Sequence, residues 1–369
     1  MLGNAIRQPG ATGPAGPTSA GNGRQAVESV IECVSAQKVE AEHVRWLWPL
    51  RIPLGKLSVF FGMPGGGKST AATDVAARVT TGQAWPDTAN NLEPSDVVML
   101  CAEDDLKDTV KPRLMAAGAN LGRVHFAIRT TITFNAKKSE RHIAFDQDMA
   151  AMSRLLAKNP HIRLVVIDPL ASYLGKLSKI ADKDMRPVLE ALKNLAERHN
   201  VAVLTIDHFN KNIEQAALHR LSGAGALNAV PRALWAFTRD NNDKSAHHML
   251  NAKMNITSEE QQAGMKFKFR STEVMIKGSP ASLATIEWGG KSDESLDDVL
   301  NSQTNPKEKR EAKARRFLQE YLADGPRPSK EIEMPQLKKA SATTQCGKPK
   351  RPSTSEPIKP ARVEAGIGA

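Results

Sequence analysis

The stretch LSVFFGMPGGGKST, Leu57 to Thr70, constrains the fold more than any other part of the sequence. Leu57–Phe61 is short, apolar and bounded by Gly55 and Gly62, the pattern of a buried strand. From Ser69 to Thr80 good helix formers dominate, with Ala71, Ala72, Ala76 and Ala77 among them, so a helix follows. Between strand and helix lies Gly62-Met63-Pro64-Gly65-Gly66-Gly67-Lys68-Ser69, read as G-x-x-x-x-G-K-S, with Thr70 behind it. Glycines let backbone N–H groups curl around a phosphate, and the helix N-terminus adds partial positive charge. In that arrangement Lys68 reaches the β and γ phosphates, and the Ser69 hydroxyl sits on Mg²⁺. A purely structural glycine turn needs neither the lysine nor the hydroxyl. The pattern therefore predicts a phosphate loop that binds a nucleotide with magnesium.

Around this loop, apolar segments alternate with helical ones. DVVMLCA (Asp96–Ala102), RVHFA, IRLVVIDPL and VAVLTID read as strands. Helices are expected near Gln25–Val39, Leu106–Ala117, Asp146–Ala157 and Lys183–His199. Near-continuous apolar strands alternating with helices signal a parallel sheet covered on both faces. From Arg232 onward ALWAFTRD, AHHMLNAKMN, MKFKFRST and LATIEWG read as strands joined by short polar loops, an antiparallel meander appended to that sheet. The tryptophans of WLWPLRIPLGKL are expected to pack against the core.

Hydrolysis needs one carboxylate to position magnesium and another to activate water. Asp168 ends a strand and suits the magnesium side, because ligands of open α/β sheets bind at the carboxyl ends of the strands. Glu103 ends DVVMLCA, expected to pair with the strand of the phosphate loop, and is the candidate base for the attacking water. Asp104 and Asp105 compete with it, although a helix N-cap role suits Asp105 better. His208, in TIDHFNK, ends a third strand, where it would touch the γ phosphate; a satisfied structural histidine is the alternative.

Of the 369 residues, 40% are hydrophobic and 25% charged, which is ordinary for a globular chain. No run approaches about 18 uninterrupted apolar residues, and the N-terminus lacks an apolar signal core, so a cytoplasmic protein without a membrane span is expected. Cys33, Cys101 and Cys346 are too few and too scattered for a disulfide framework or a zinc site. The net charge of +11 favours a polyanionic partner such as nucleic acid. Much of the excess lies in Lys307–Arg316 and Lys330–Arg351, where a solvated basic tail is the alternative.

Taken in order, WLWPLRIPLGKLSVFFGMPGGGKST, LCAEDDLKDTVKPRLMAAGA, VVIDPLASYLG, DHFNK and LSGAGALNAVPRALWAFTRD resemble the RecA-type ATPases. Within them the resemblance is to the group containing the hexameric replicative helicases of broad-host-range plasmids (RepA-type), over roughly residues 40 to 290. It implies a RecA-like P-loop NTPase core that hydrolyses ATP with Mg²⁺, assembles as a homo-oligomer, a hexameric ring, and acts on single-stranded DNA. It also implies Lys68 and Ser69 as the phosphate-loop lysine and hydroxyl, Glu103 as the catalytic glutamate, Asp168 as the Walker B acid and His208 as the sensing histidine. Arg232 is then the arginine finger reaching a neighbouring subunit, with a surface arginine after Pro231 as the alternative. Related ring helicases carry a lysine and an arginine two apart on a late strand. Here the segment reads Lys253-Met254-Asn255, which leaves Lys253 the weaker candidate.

The expected organisation is a disordered Gly/Pro-rich segment over 1–24, the ATPase core over 25–295, a helical remnant of a helix-turn-helix module over 296–333, and a disordered basic tail over 334–369. Pro335 interrupts the second helix of that remnant almost at once. Three functions compete: a ring-forming motor on single-stranded DNA, an ATPase switch or loader without unwinding activity, and a recombinase-like filament ATPase. A motor would line its centre with basic loops, for which Gly175–Lys183 and Lys211–Arg220 are candidates through Lys176, Lys179, Lys211 and Arg220.

Overall fold

A computed structural model describes residues 31–88, 93–177, 182–208, 224–241, 243–258, 262–299 and Leu322. The segments expected to be disordered at either end, most of the helical remnant, and Lys179, Lys211 and Arg220 lie outside the described residues. Contacts divide the chain into a unit ending at His43 and a second beginning at Val44. In the first, the helix expected over Gln25–Val39 is reduced, among its described residues, to a single turn at Ala36–Lys38. Ser35 offers that turn no side-chain cap, and none of its residues is buried.

The second unit opens with the short strands β1 (Trp46–Trp48) and β2 (Ile52–Pro53), then β3 (Leu57–Gly62) and helix α1 (Lys68–Thr81). Next come β4 (Asp96–Cys101), a wide turn at Leu106–Val110 running into α2 (Lys111–Ala116), and β5 (Val124–Phe126). A polar hairpin, β6 (Thr130–Phe134) and β7 (Lys137–Arg141), precedes α3 (Phe145–Lys158), β8 (Ile162–Asp168), α4 (Asp182–His199) and β9 (Ala202–His208). The described chain then forms α5 (Ala224–Ala229), β10 (Ala233–Arg239), β11 (Ala246–Met254), β12 (Gly264–Ile276) and β13 (Ser279–Ser292).

Among the described residues, nine strands make one sheet in the order β13-β12-β11-β10-β3-β9-β8-β4-β5. Pairing is parallel from β10 through β5 and antiparallel from β10 outward to β13. This is a RecA-like P-loop core, as the alternation of apolar strands and helices predicts. Strand β10, expected to open the meander, instead pairs in parallel with β3, so the antiparallel part begins at β11. The preceding short helix α5 was not anticipated; it lets the chain re-enter beside β3 in the parallel sense.

Alternation along the strands explains why both faces are covered. Leu57, Val59 and Phe61 join a core with residues of α3, α4 and α5, including Met152, Leu189 and Leu227. Phe60, between them, joins the opposite core with Ala72, Val75 and Leu114 of α1 and α2. Every residue of β3 is buried, and each large side chain placed there contributes about 1.5–3 kcal/mol. The segment before β3 is anchored by Arg51, which pairs with Asp87 at 3.1 Å and lies over the Trp235 ring at 5.1 Å. Trp48 stacks on Trp85 and donates to Asp87 at 2.9 Å, which bears out the packing role expected of these tryptophans.

Candidate functional site

The parallel strands deliver their carboxyl ends to one edge of the sheet. There Gly62 is in register with His208, and Cys101 with Asp168. Strand β9 lies between β3 and β8, so β4, the strand that leads into Glu103, is not the partner of the phosphate-loop strand as expected. It pairs with β8 and β5 instead. Glu103 nevertheless reaches the site, because parallel strands all end on the same edge.

The loop from Gly62 to Gly67 needs its glycines for particular reasons. A Cβ on Gly62 would stand 2.2 Å from the Phe237 carbonyl oxygen of β10, closer than any atom tolerates. Gly67 has a φ of 97° and precedes α1 with no side-chain cap, so the first-turn N–H groups remain available to an anion. Lys68, 4% exposed, donates from Nζ to the carbonyl oxygens of Gly62 at 3.0 Å and Met63 at 2.9 Å. Burial pushes its pKa down to about 8, against the pull of Asp168, Asp207 and Glu103.

Burial raises the Asp168 carboxyl above its ordinary value, while a hydrogen bond from the Ser69 hydroxyl works the other way. The nearby charges of Glu103 and Asp104 push it further up. A divalent cation would relieve that crowding of acids, so the donor set fits magnesium, with Ser69 and Asp168 as the protein ligands. Among the described residues no group of three or more His, Cys, Asp or Glu side chains could by itself hold a metal. Phosphate oxygens and water would therefore complete the shell, the usual habit of Mg²⁺.

The three consecutive acids separate by geometry. Asp104 is taken by Arg113 in an ion pair. Asp105 caps the following turn, accepting from the N–H groups of Lys107 at 2.7 Å and Asp108 at 3.2 Å. Glu103 is 60% exposed and faces His208, whose Nε2 lies 3.9 Å from its carboxylate. The His208 pKa is lowered, first by burial and then by the Lys68 charge. Ser69, Thr73, Cys101, Glu103, Asp104 and Asp168 line a shared cleft. Burial drives the Cys101 thiol up to about 12, so it stays protonated at neutral pH.

Asp207 was not anticipated. It is 6% exposed and accepts the His208 N–H at 2.8 Å. Burial pushes its carboxyl up to about 6, opposed by that hydrogen bond and by Lys68. The available signal was an acid ending the otherwise apolar AVLTI run beside His208.

Arg232 and Lys253 lie at the other end of the sheet. Arg232 donates its N–H to the Leu57 carbonyl at 3.0 Å, and Ala233 is in register with Ser58 whereas Phe237 faces Gly62. At about 3.3 Å per residue, Arg232 stands roughly 16 Å along the strand from the loop. Lys253 donates to the carbonyl oxygens of Asn228, Ala229 and Pro231 and so closes the end of α5. Lys176 is exposed. No described helix is long and apolar enough to cross a membrane.

The family described as an AAA domain matches residues 27–214, just over half of the chain. No curated protein matches it.

Proposed function

The chain belongs to the AAA-domain family of P-loop ATPases, and we propose that it is a ring-forming motor that couples ATP hydrolysis to movement on single-stranded DNA, a RepA-like replicative helicase. The observation that carries the catalytic part is the convergence of Lys68, Ser69, Asp168, Glu103 and His208 on one sheet edge. The order of the sequence segments that resemble ring helicases and the net charge of +11 support the DNA-directed part.

In this reading the loop amides and Lys68 hold the β and γ phosphates, and Lys68 exchanges its two carbonyl partners for phosphate oxygens. Magnesium, held through Ser69 and Asp168, would neutralise charge on the transferring phosphoryl group. Glu103 orients a water and accepts its proton. His208 senses the γ phosphate, and Arg232 serves the site of the next subunit in the ring.

The test is steady-state ATP turnover with and without single-stranded DNA. A rise on adding DNA is expected. Turnover indifferent to DNA would replace the motor with an ATPase switch, and no turnover at all would overturn the catalytic assignment.

A further inference from the structure

Resting on the nucleotide-binding reading above, we infer that Phe269 is a stacking platform for the base of the bound nucleoside triphosphate. The last glycine of the phosphate loop is pressed against two rings of β12. A Cβ on Gly67 would stand 2.9 Å from Phe267 and 3.2 Å from Phe269. The rings differ in environment: Phe267 is 1% exposed, and Phe269 is 39% exposed. A partly solvent-exposed aromatic ring thus has its tip beside the loop that would hold the phosphates.

The neighbours of Phe269 fix its plane. His247 meets it at 4.7 Å and 62°, and Phe267 at 5.9 Å and 80°, both in edge arrangements. Behind them Phe267 packs on Phe237 at 5.8 Å and Trp288 at 5.5 Å, so the support is part of the core. A ring held this way loses little freedom when a base settles on it. Stacking accepts any base because each has a π face, and purines offer the larger overlap. The platform therefore recognises a nucleobase as a class, favours purines over pyrimidines, and does not by itself separate adenine from guanine.

The experiment measures equilibrium binding of ATP and of inorganic tripolyphosphate to the full chain and to Phe269→Ala, Phe269→Leu and Phe269→Trp. Tripolyphosphate occupies the loop but carries no base. The Ala and Leu variants are expected to bind ATP about tenfold more weakly and tripolyphosphate as tightly as the unaltered chain, and Trp is expected to restore ATP binding. Leu keeps apolar bulk against Gly67, so it separates lost stacking from a collapsed loop. Unchanged ATP affinity in Ala and Leu would overturn the platform, as would an equal loss of both ligands. Equal affinity of the unaltered chain for ATP and tripolyphosphate would overturn it too, while leaving the phosphate loop standing. Failure of the unaltered chain to bind either ligand would bring down the nucleotide-binding reading and the platform together.

Discussion

The Nε2 atom of His208 lies 3.9 Å from the carboxylate of Glu103, although β9 and β4 are separated in the sheet by β8. The two residues come at the ends of the strands that flank the Asp168 strand on either side. Asp207, directly before His208, lies close enough to Lys68 to favour its charged form. Lys68, Asp207, Glu103 and His208 are therefore electrostatically linked at one edge of the sheet.

Glu103→Gln keeps the shape of the side chain and removes the base. Turnover is expected to fall by about 10²–10⁴-fold, with ATP affinity near that of the unaltered chain. Calorimetric titration beside a phosphate-release assay checks this, and collapsed affinity with surviving turnover would refute the role. Asp168→Asn should instead raise the magnesium concentration needed for half-maximal activity.

Lys68 links nucleotide affinity to pH. Its pKa in the free site is lowered to about 8, and bound phosphates would favour the charged form. Below pH 8 the lysine is already protonated, and affinity should be flat. Above it, binding must recruit a proton, so affinity should fall by up to about tenfold per pH unit. Calorimetry in two buffers of different ionisation enthalpy would show the proton uptake, and Lys68→Ala would abolish the dependence along with hydrolysis.

Asp207 burdens the fold at neutral pH. Its folded pKa of about 6 exceeds the ordinary 3.8, so its contribution to stability is fully present below about pH 4 and is lost as pH rises through 6. Asp207→Asn should be more stable than the unaltered chain at pH 8, and its advantage should grow by about 1 kcal/mol between pH 5 and pH 8. Urea unfolding at the two pH values decides it; an advantage that shrinks with pH would contradict the burial argument.

Assembly can be tested by complementation. Lys68→Ala and Arg232→Ala are each expected to be inactive alone. In mixed rings some interfaces join an intact loop to an intact arginine and should recover part of the activity. Mixed oligomers confirmed by mass with no recovered turnover would exclude Arg232 as the finger. Lys253, whose amine already closes α5, would then need to leave its carbonyl partners to act.

The loop, α1 and the strands β3, β4, β8 and β9 were legible because buried parallel strands write themselves as apolar runs. Their lateral order was not. Nothing local in AVLTIDH states that β9 lies between β3 and β8, so the sequence alone pairs the strand leading into Glu103 with β3. The β6–β7 hairpin escaped because TTITF and KKSER are largely exposed and carry no buried stripe. Its turn is Asn135-Ala136 with positive φ at both residues, rather than the Asn-Gly that would have announced it. Asp207 was invisible for a different reason: its significance lies in burial beside Lys68, a tertiary fact. Phe269 sat in a segment recognisable only as a strand, about 200 residues from the glycine it touches.

The phosphate loop is gripped at both ends by the outer half of the sheet, at Gly62 by the Phe237 carbonyl and at Gly67 by the rings of Phe267 and Phe269. Phe237 and Phe267 also touch one another. The two ends of the nucleotide cradle thus share one support, and any displacement of β10 or β12 relative to β3 would bear on both of its walls.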